Sequence, residues 1–532
     1  MTNAPLSCDV AIVGLGPTGA VLANLLGQSG WSVIVLEREE DIYYAPKAVH
    51  FDDEIMRIFQ HVGLAEGLAR VCEPFRDMAF LLTPKGAPAL ASQVGNPGAP
   101  HGWAGAWWFH QPTLEAHLRA GLARFPAVRT LYGRTVTGLR QDAAGVTVLT
   151  EDADGAALSV RARYVIGCDG GRSTVRREAG LVLDSADFDE PWVVVDVKSL
   201  TGTKDPALPS NHYQLCDPAG PVTFVPMTGP YYEWQFMVTD GRSEAEATDP
   251  AHVRRRLRAF APPGRVEILR IAYYKFHALW ATRWRNGRIL LAGDSAHQMP
   301  PFLGQGMCSG VRDAMSLSWR LDLVLAGRAD ERVLQHYEDE RAAHVRHIIE
   351  GAMFLGRVIQ TRRPAVAALR NLMVFWLPNR IPVLRRLFMT LANRKRPIEC
   401  GFIGGNAPKL AGRLAPQPLV RTADGPALLD DVLGPGAVVL VPAARRGEAQ
   451  AAVAASGLDL AVLGFDVGPA PGVVGDAADG LGGWLRAARA EFAVIRPDRV
   501  VFDGGRIGDL PQVLRAYAAL QGPAAAAMEQ AA

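Results

Sequence analysis

The sequence predicts an α/β protein in three parts: a Rossmann-like dinucleotide-binding unit, an antiparallel sheet inserted into it, and a smaller C-terminal α/β unit. Three observations carry this. Residues 9–38, DVAIVGLGPTGAVLANLLGQSGWSVIVLER, read as strand, tight turn, helix and strand. Residues 191–278 change texture to strand-like runs such as WVVVDVKS, HYQLC, PVTFVPM and YYEWQFMVT, as expected of an antiparallel sheet set into an α/β frame. A Gly/Pro-rich linker, GGNAPKLAGRLAPQP, then precedes strand-like AVVLVPA, DLAVLGF and FAVIRPDRVVF with Ala-rich helices between them.

Gly14, Gly16 and Gly19 have the G-x-G-x-x-G spacing. The first turns the chain, the second lets backbone approach a pyrophosphate, and the third packs the helix on the sheet. Pro17 suits the first helical turn, where its missing N–H is no loss. The N–H groups around Thr18 then face phosphate. Glu37, followed by Arg38, lies 18 residues beyond Gly19, where a carboxylate accepts hydrogen bonds from a ribose 2′-OH. An acid at this point disfavours a 2′-phosphate, so the dinucleotide is FAD or NAD.

Beyond this unit, a loop carries Lys47 and His50, and residues 52–62 place Ile55, Ile58, Phe59 and Val62 on one helical face. Residues 74–108 form an excursion with a hairpin at FLLTPKG and tryptophans at 103, 107 and 108. Gln111-Pro112 opens the next helix. A hairpin feeds a buried strand over 164–168 that ends in Asp169-Gly170, followed by the helix STVRREAGL. The frame returns at residue 288 with the strand RILLAGD and a long helix over 309–326. Residues 361–397 are basic and amphipathic. They read as a solvated helix face or a helix against a partner subunit, ahead of a lipid or nucleic-acid patch. The expected division is an FAD-binding unit in three pieces (1–75, 111–185, 281–360). The substrate unit is in two (76–110, 186–280), and a helical connector (361–405) leads to the C-terminal unit (406–532).

Composition bounds the function. The 532 residues are 49% apolar and 21% charged, ordinary values for a soluble globular protein. A net charge of +2 argues against a nucleic-acid partner. No run approaches the roughly 18 apolar residues of a membrane span, and no secretory signal is visible. The six cysteines show neither C-x-x-C nor zinc spacing, so they predict free thiols in a reducing cytoplasm and no metal site.

Three signals stand together: GLGPTG with Glu37, CDGGRSTVR at 168–176, and GRILLAGDSAHQMPPFLGQG at 287–306. Jointly they resemble the single-component FAD-dependent aromatic hydroxylases, the p-hydroxybenzoate hydroxylase-like flavoprotein monooxygenases. The likeness covers the whole chain. The C-terminal unit resembles the thioredoxin-like domain of the phenol hydroxylase branch, without redox cysteines, since none lies beyond Cys400. APKAVHFDDE, FHQP, FMVTDG and VIRPDRVV are most similar to the 3-(3-hydroxyphenyl)propionate hydroxylase branch.

The resemblance implies non-covalent FAD, NADH or NADPH as a transient co-substrate, and O₂ activated at flavin C4a to hydroxylate a phenolic aromatic acid ortho to its phenol. It assigns Gln111 to the flavin, Val136 to the adenine, and Asp169 to FAD and the reduced nicotinamide. Asp294 meets the ribityl chain, and the Pro301 carbonyl positions substrate. Gly304, Gly306 and Met307 offer backbone to the flavin ring ahead of a helix N-terminus, which stabilises the charge of reduced flavin. Two positions depart from the family: Lys47 replaces an arginine and Cys308 an asparagine. His50 and Tyr274 are candidates to receive the phenol proton. Tyr213, Phe224, Trp234, Phe236 and Tyr274 are expected to wall a flat ring. Alternation pairs Arg270 with Tyr274 on one face of their strand and Lys275 with His277 on the other. A hydroxylase of polyketide or antibiotic scaffolds shares every FAD motif. A flavin redox sensor with negligible turnover is a third reading, suggested by Cys308. A homodimer is one assembly open to the chain.

Overall fold

The computed structural model describes residues 6–44, 48–84, 86–93, 100–392 and 395–522. Lys47 lies outside them. The first sheet is organised by Leu6–Val13, which pairs in parallel with Val33–Leu36 on one side and Ala157–Gly167 on the other. Val10, Ala11, Ile12 and Val13 are all buried, the continuous apolar run expected of a parallel strand covered on both faces. Ile289–Leu291 and Val128–Leu131 extend the sheet in parallel, and a hairpin of Thr135–Asp142 and Gly145–Glu151 pairs with Ala157–Gly167. The helices Pro17–Gln28 and Gly306–Leu325 pack against each other beside this sheet.

Among the described residues the second sheet has eight strands, and its longest pair, Val266–Ala281 and Leu183–Ser199, stand second and third from one edge. Asp77–Leu81 and Leu90–Gln93, from the early excursion, complete one edge. A three-stranded sheet of His50–Asp52, Ala106–Trp108 and Glu73–Pro74 lies against it, with Trp108 packed on Val225 and Met227. A third, seven-stranded sheet over Leu419–Gly505 forms the core of the C-terminal unit.

Alternation along the second sheet sorts its residues into two unlike faces. One face is an apolar core that includes Val193, Val195, Tyr213, Phe224, Trp234 and Phe236, closed by Val253 and Leu257 of the helix Pro250–Leu257. This corrects the expected aromatic wall. Four of its five rings point away from the three-stranded sheet, because registers such as Tyr213↔Phe224↔Trp234 keep them on the helix side. Tyr274, the register partner of Trp192, lies on the other face.

The linker before the C-terminal unit is not a loose tether. The Asp503 carboxylate accepts the Asn406 and Ala407 N–H groups at 2.9 and 2.7 Å. A Cβ on Gly404 would stand 2.1 Å from Asp503 Oδ2, so this glycine serves close approach, not flexibility. Buried ion pairs join the units. The Arg57 guanidinium donates to both oxygens of Asp430 (2.5 and 2.7 Å) and to the Ala415 carbonyl at 2.6 Å. Arg320 and Arg496 both donate to Glu340, all three with side chains 0% exposed. Removing one member of a buried pair strands its partner's charge, at a cost of about 3–5 kcal/mol. Asp430→Ala should therefore lower the thermal midpoint by several degrees while Arg57 remains. A chain ending before Gly412 should lose solubility before it loses flavin chemistry. A soluble, folded truncation with a flavin that cannot be reduced would contradict this.

Candidate active site

The three glycine-rich signals meet in space. A Cβ on Gly14, whose φ is +98°, would lie 2.5 Å from the Cys168 carbonyl oxygen and 3.0 Å from Asp169 Cα. A Cβ on Gly19 would lie 2.0 Å from the Gly14 oxygen. The Thr18 hydroxyl fills the space beside Gly293 and Gly310, where a Cβ would come within 2.7 and 2.3 Å of it. The Thr18 side chain is thus a packing element, and its backbone is what remains for a phosphate. Gly16 caps the helix with nothing within 4 Å of an added Cβ; this is the open approach a pyrophosphate needs. Pro17 occupies the first turn.

Glu37 is buried at the end of its strand. Its Oε2 accepts the Leu15 N–H at 2.6 Å and its Oε1 the Glu39 N–H at 3.0 Å, so it shapes the glycine turn and keeps lone pairs for a ribose. Arg38 points outward in an exposed ion pair with Glu39. Val136 is buried in the neighbouring hairpin. Gln111 starts the helix Gln111–Gly121. Its Oε1 accepts the Ala48 N–H at 2.8 Å and its Nε2 donates to Glu115. Asp169 Oδ2 accepts the Thr174 and Val175 N–H groups, while Oδ1 is buried with no hydrogen-bond partner among the described residues. An orphaned carboxylate oxygen beside Gly14 is a place for a ligand donor.

Asp294 is exposed at the end of the returning strand, in the turn Gly293–Ser295. That turn is clamped from behind by Asp313, which accepts the Gly293 N–H at 3.0 Å, pairs with His297 at 2.7 Å, and accepts from Arg341 at 2.7 Å. Although burial opposes ionisation, Arg341 and His297 hold the Asp313 carboxyl down at about 2. The segment then turns through Pro301–Leu303, where the Pro301 carbonyl accepts the Gly304 N–H at 2.8 Å and keeps its second lone pair. The helix Gly306–Leu325 follows at once and brings Gly306 and Met307 into its first turn. Cys308 is buried, donates weakly to the Gly304 and His50 carbonyls, and has a thiol pushed up to about 12 by burial. Such a thiol is inert, which weighs against a thiol-based sensor.

His50 faces this turn. Its Nδ1 is the ring atom nearest Gly304, whose backbone it hydrogen-bonds. Its Nε2 is buried with no partner among the described residues. Phe75 and Trp108, stacked at 3.7 Å, flank the imidazole at 5.4 and 5.8 Å. Burial lowers its pKa, keeping the ring neutral at physiological pH. The adjoining face of the large sheet is polar. His212 Nδ1 bonds the Phe224 carbonyl at 2.6 Å, and Thr223 donates to Gln214 at 2.6 Å. Farther along, Gln235 donates to Glu233, Arg270 donates to Asp196 at 2.5 Å, and Arg270 donates to the Tyr274 hydroxyl at 2.9 Å. Burial, with Asp196 beside it, pushes the Glu233 carboxyl up to about 8.

Sequence reading offers the His212 imidazole as a partner for a substrate carboxylate but does not single out Glu233, Asp196, Gln214, Thr223 or Gln235. Their signal is there: in each strand they are the polar residues at period two among apolar ones. His50 and Tyr274 share one side of the sheet but belong to separate clusters, one aromatic and one charged.

Comparison with known proteins follows this geometry. A family model described as an FAD binding domain matches residues 7–352, and one described as an HcaD C-terminal domain matches 412–520. The chain is similar to the "Probable NADH-specific resorcinol 4-hydroxylase" of Rhodococcus jostii (strain RHA1), at 38% identity over 93% of this chain and 91% of that protein. It is 35% identical to the 3-(3-hydroxy-phenyl)propionate/3-hydroxycinnamic acid hydroxylase of Mycolicibacterium smegmatis (strain ATCC 700084 / mc(2)155), over 94% of this chain and 91% of that one. Among solved structures, the flavin-dependent monooxygenase PieE, in complex with FAD and substrate, superposes with a TM-score of 0.81 at 22% identity. That match covers 97% of this chain and 100% of that chain.

Two outcomes test the site. Asp294→Ala removes a charged acceptor, at about 1.5–3 kcal/mol, so bound flavin per protein, read from the visible absorbance, should fall at least tenfold in dilute protein. Glu233 titrates above its unfolded value, so it stabilises the fold below about pH 4.5 and loses that contribution as pH rises through about 8. Glu233→Gln should flatten the decline in thermal midpoint between about pH 5 and 8; an unchanged decline would remove Glu233 as its cause.

Proposed function

Because this chain belongs to the family of FAD-binding flavoprotein monooxygenases, which includes the single-component aromatic hydroxylases, we propose that its substrate is a single-ring phenol with a second substituent meta to the hydroxyl. A 3-(3-hydroxyphenyl)propionate-like acid is the form favoured, hydroxylated ortho to its phenol with NADH as reductant. The chain is an FAD-dependent aromatic monooxygenase. Both relatives above are named for meta-substituted phenols, and the Rhodococcus protein is named NADH-specific. The observation that carries the reading is the bare Nε2 of His50, buried between an aromatic pair and the Pro301–Gly304 turn.

Gly14, Gly16, Gly19, Glu37, Gln111, Asp169 and Asp294 would hold FAD, which when bound takes hydride from NADH and activates O₂ for transfer to the ring. The chain's own residues do the rest. The Gly304 backbone holds the His50 Nδ1 proton and leaves Nε2 as the acceptor for a phenol O–H. Phe75 and Trp108, stacked on each other with His50 edge-on to both, wall this acceptor and exclude water from it. Tyr274, with its pKa raised by burial and its oxygen accepting from Arg270, stays protonated and serves as a hydrogen-bond donor to the distal substituent. Six free cysteines fit work in the cytoplasm.

A panel of phenols, scored for NADH oxidation coupled to product, tests this. 3-(3-Hydroxyphenyl)propionate and resorcinol should stimulate turnover, and their methyl ethers should be poor, since they cannot lose a phenolic proton. His50→Ala should keep FAD and lower kcat about 100-fold. Equal turnover of the methyl ethers, or a preference for bulky polycyclic phenols, would overturn the reading.

A further inference from the structure

Residues 361–392 hold six arginines and no acidic residue. Half of the large apolar side chains that stand exposed among the described residues fall between Val366 and Leu387. Their placement is not scattered. From Pro364 to Arg380 the chain is helical throughout, with one π-helical turn over Asn371–Trp376. Ala367, Arg370, Phe375 and Pro378 form its buried face. Phe375 rests on Phe80 at the edge of the large sheet, and Arg370 donates to the Cys216 carbonyl. Leu369, Leu372, Met373 and Trp376 stand out on the opposite side, 45–59% exposed. The next helix, Pro382–Ala392, adds Val383 at 72% and Leu387 at 54%. Arg385 and Arg386 are also exposed there, and Arg380 lies over the Trp376 ring at 5.5 Å.

A solvated helix face does not carry such a stripe. We infer that this helical pair is a docking surface for an anionic lipid bilayer, lying in the plane of the interface with its apolar stripe among the acyl chains and its arginines at the headgroups. An amphipathic helix that is basic on its polar side, with Trp and Leu on the other, has this chemistry. Each arginine near a negatively charged leaflet adds about 1 kcal/mol. Charge decides between this occupant and a second copy of the chain. A two-fold interface would set the five exposed arginines against the same five, with no acid in the segment to answer them. No helix among the described residues is long and apolar enough to cross a membrane, so the attachment is peripheral. The inner face of the stripe rests against the substrate sheet, so a phenol partitioned into lipid arrives beside the unit that binds it.

The test is flotation of the FAD-loaded enzyme with vesicles of phosphatidylcholine alone or mixed with phosphatidylglycerol. The enzyme should float with the mixed vesicles, weakly or not at all with phosphatidylcholine, and less at high salt. Arg385→Gln with Arg386→Gln should weaken binding about thirtyfold. Trp376→Asp with Leu387→Asp should abolish it. Both variants should keep the parent thermal midpoint and phenol-stimulated NADH oxidation, since these side chains are exposed and outside the active site. An enzyme that ignores the mixed vesicles, or binds both kinds equally, would overturn the inference. So would a dimer in sedimentation velocity that Leu387→Asp dissociates.

Discussion

Backbone meets backbone where the first helix leaves the first strand, and the rest of the site depends on that contact. No Cβ fits at Gly14 or Gly19, and none fits at Gly310 unless Thr18 moves. The helix Pro17–Gln28 is therefore seated against the strand end at Cys168 and against the helix Gly306–Leu325 with almost no side-chain freedom between them. Two helix N-termini, at Gly16 and at Gln305, are placed in one unit by this seating. One suits a pyrophosphate and the other a charged ring. Loops carried by this frame can change without moving the cofactor's two anchoring ends.

The frame was legible in the sequence because its signals are local. Glycines at fixed offsets, a β-branched run and a terminal acid are read within about 30 residues. The site face of the large sheet was not. Whether Tyr213 or Gln214 looks at the three-stranded sheet depends on which neighbour covers the strand, and period-two alternation alone leaves that choice open. Aromatic residues are the better-known ring binders, yet here Tyr213, Phe224, Trp234 and Phe236 build the core beneath the helix Pro250–Leu257. The polar residues between them are the ones turned toward the three-stranded sheet. The aromatic residues beside His50 are Phe75 and Trp108, more than 100 residues away in sequence from Tyr213 and outside its strand order. Long-range pairings of this kind leave no short motif.

A buried polar face must satisfy its own groups, and this one does so by sharing charge. Asp196 and Glu233 both have carboxyl groups raised by burial, and Arg270 neutralises one proton's worth of the pair. The arginine is thereby committed to the sheet before any substrate enters. An acid chain on the ring would meet Tyr274 O–H and a pre-neutralised guanidinium, a weaker and more selective partner than an unengaged cation.

The same logic of committed charge explains why a C-terminal unit without cysteines is retained by the fold. Arg57 and Glu340 belong to the FAD-binding part, and each is buried where groups from beyond residue 400 complete its hydrogen bonds: Asp430 and the Ala415 carbonyl for Arg57, Arg496 and the Phe402 N–H for Glu340. Arg57 lies on the helix Asp53–His61, one turn from Glu54, which binds Arg312 and through it Gln305 beside the flavin turn. Lys395 of the connector donates to Asp53 on the same helix. Taking two or three ions out of water costs several kcal/mol each unless every lone pair and proton is answered. The short helix is therefore held between the flavin turn on one side and the C-terminal sheet on the other. The terminal unit thus holds that helix in place through buried charge, and it needs no reactive group of its own to do so.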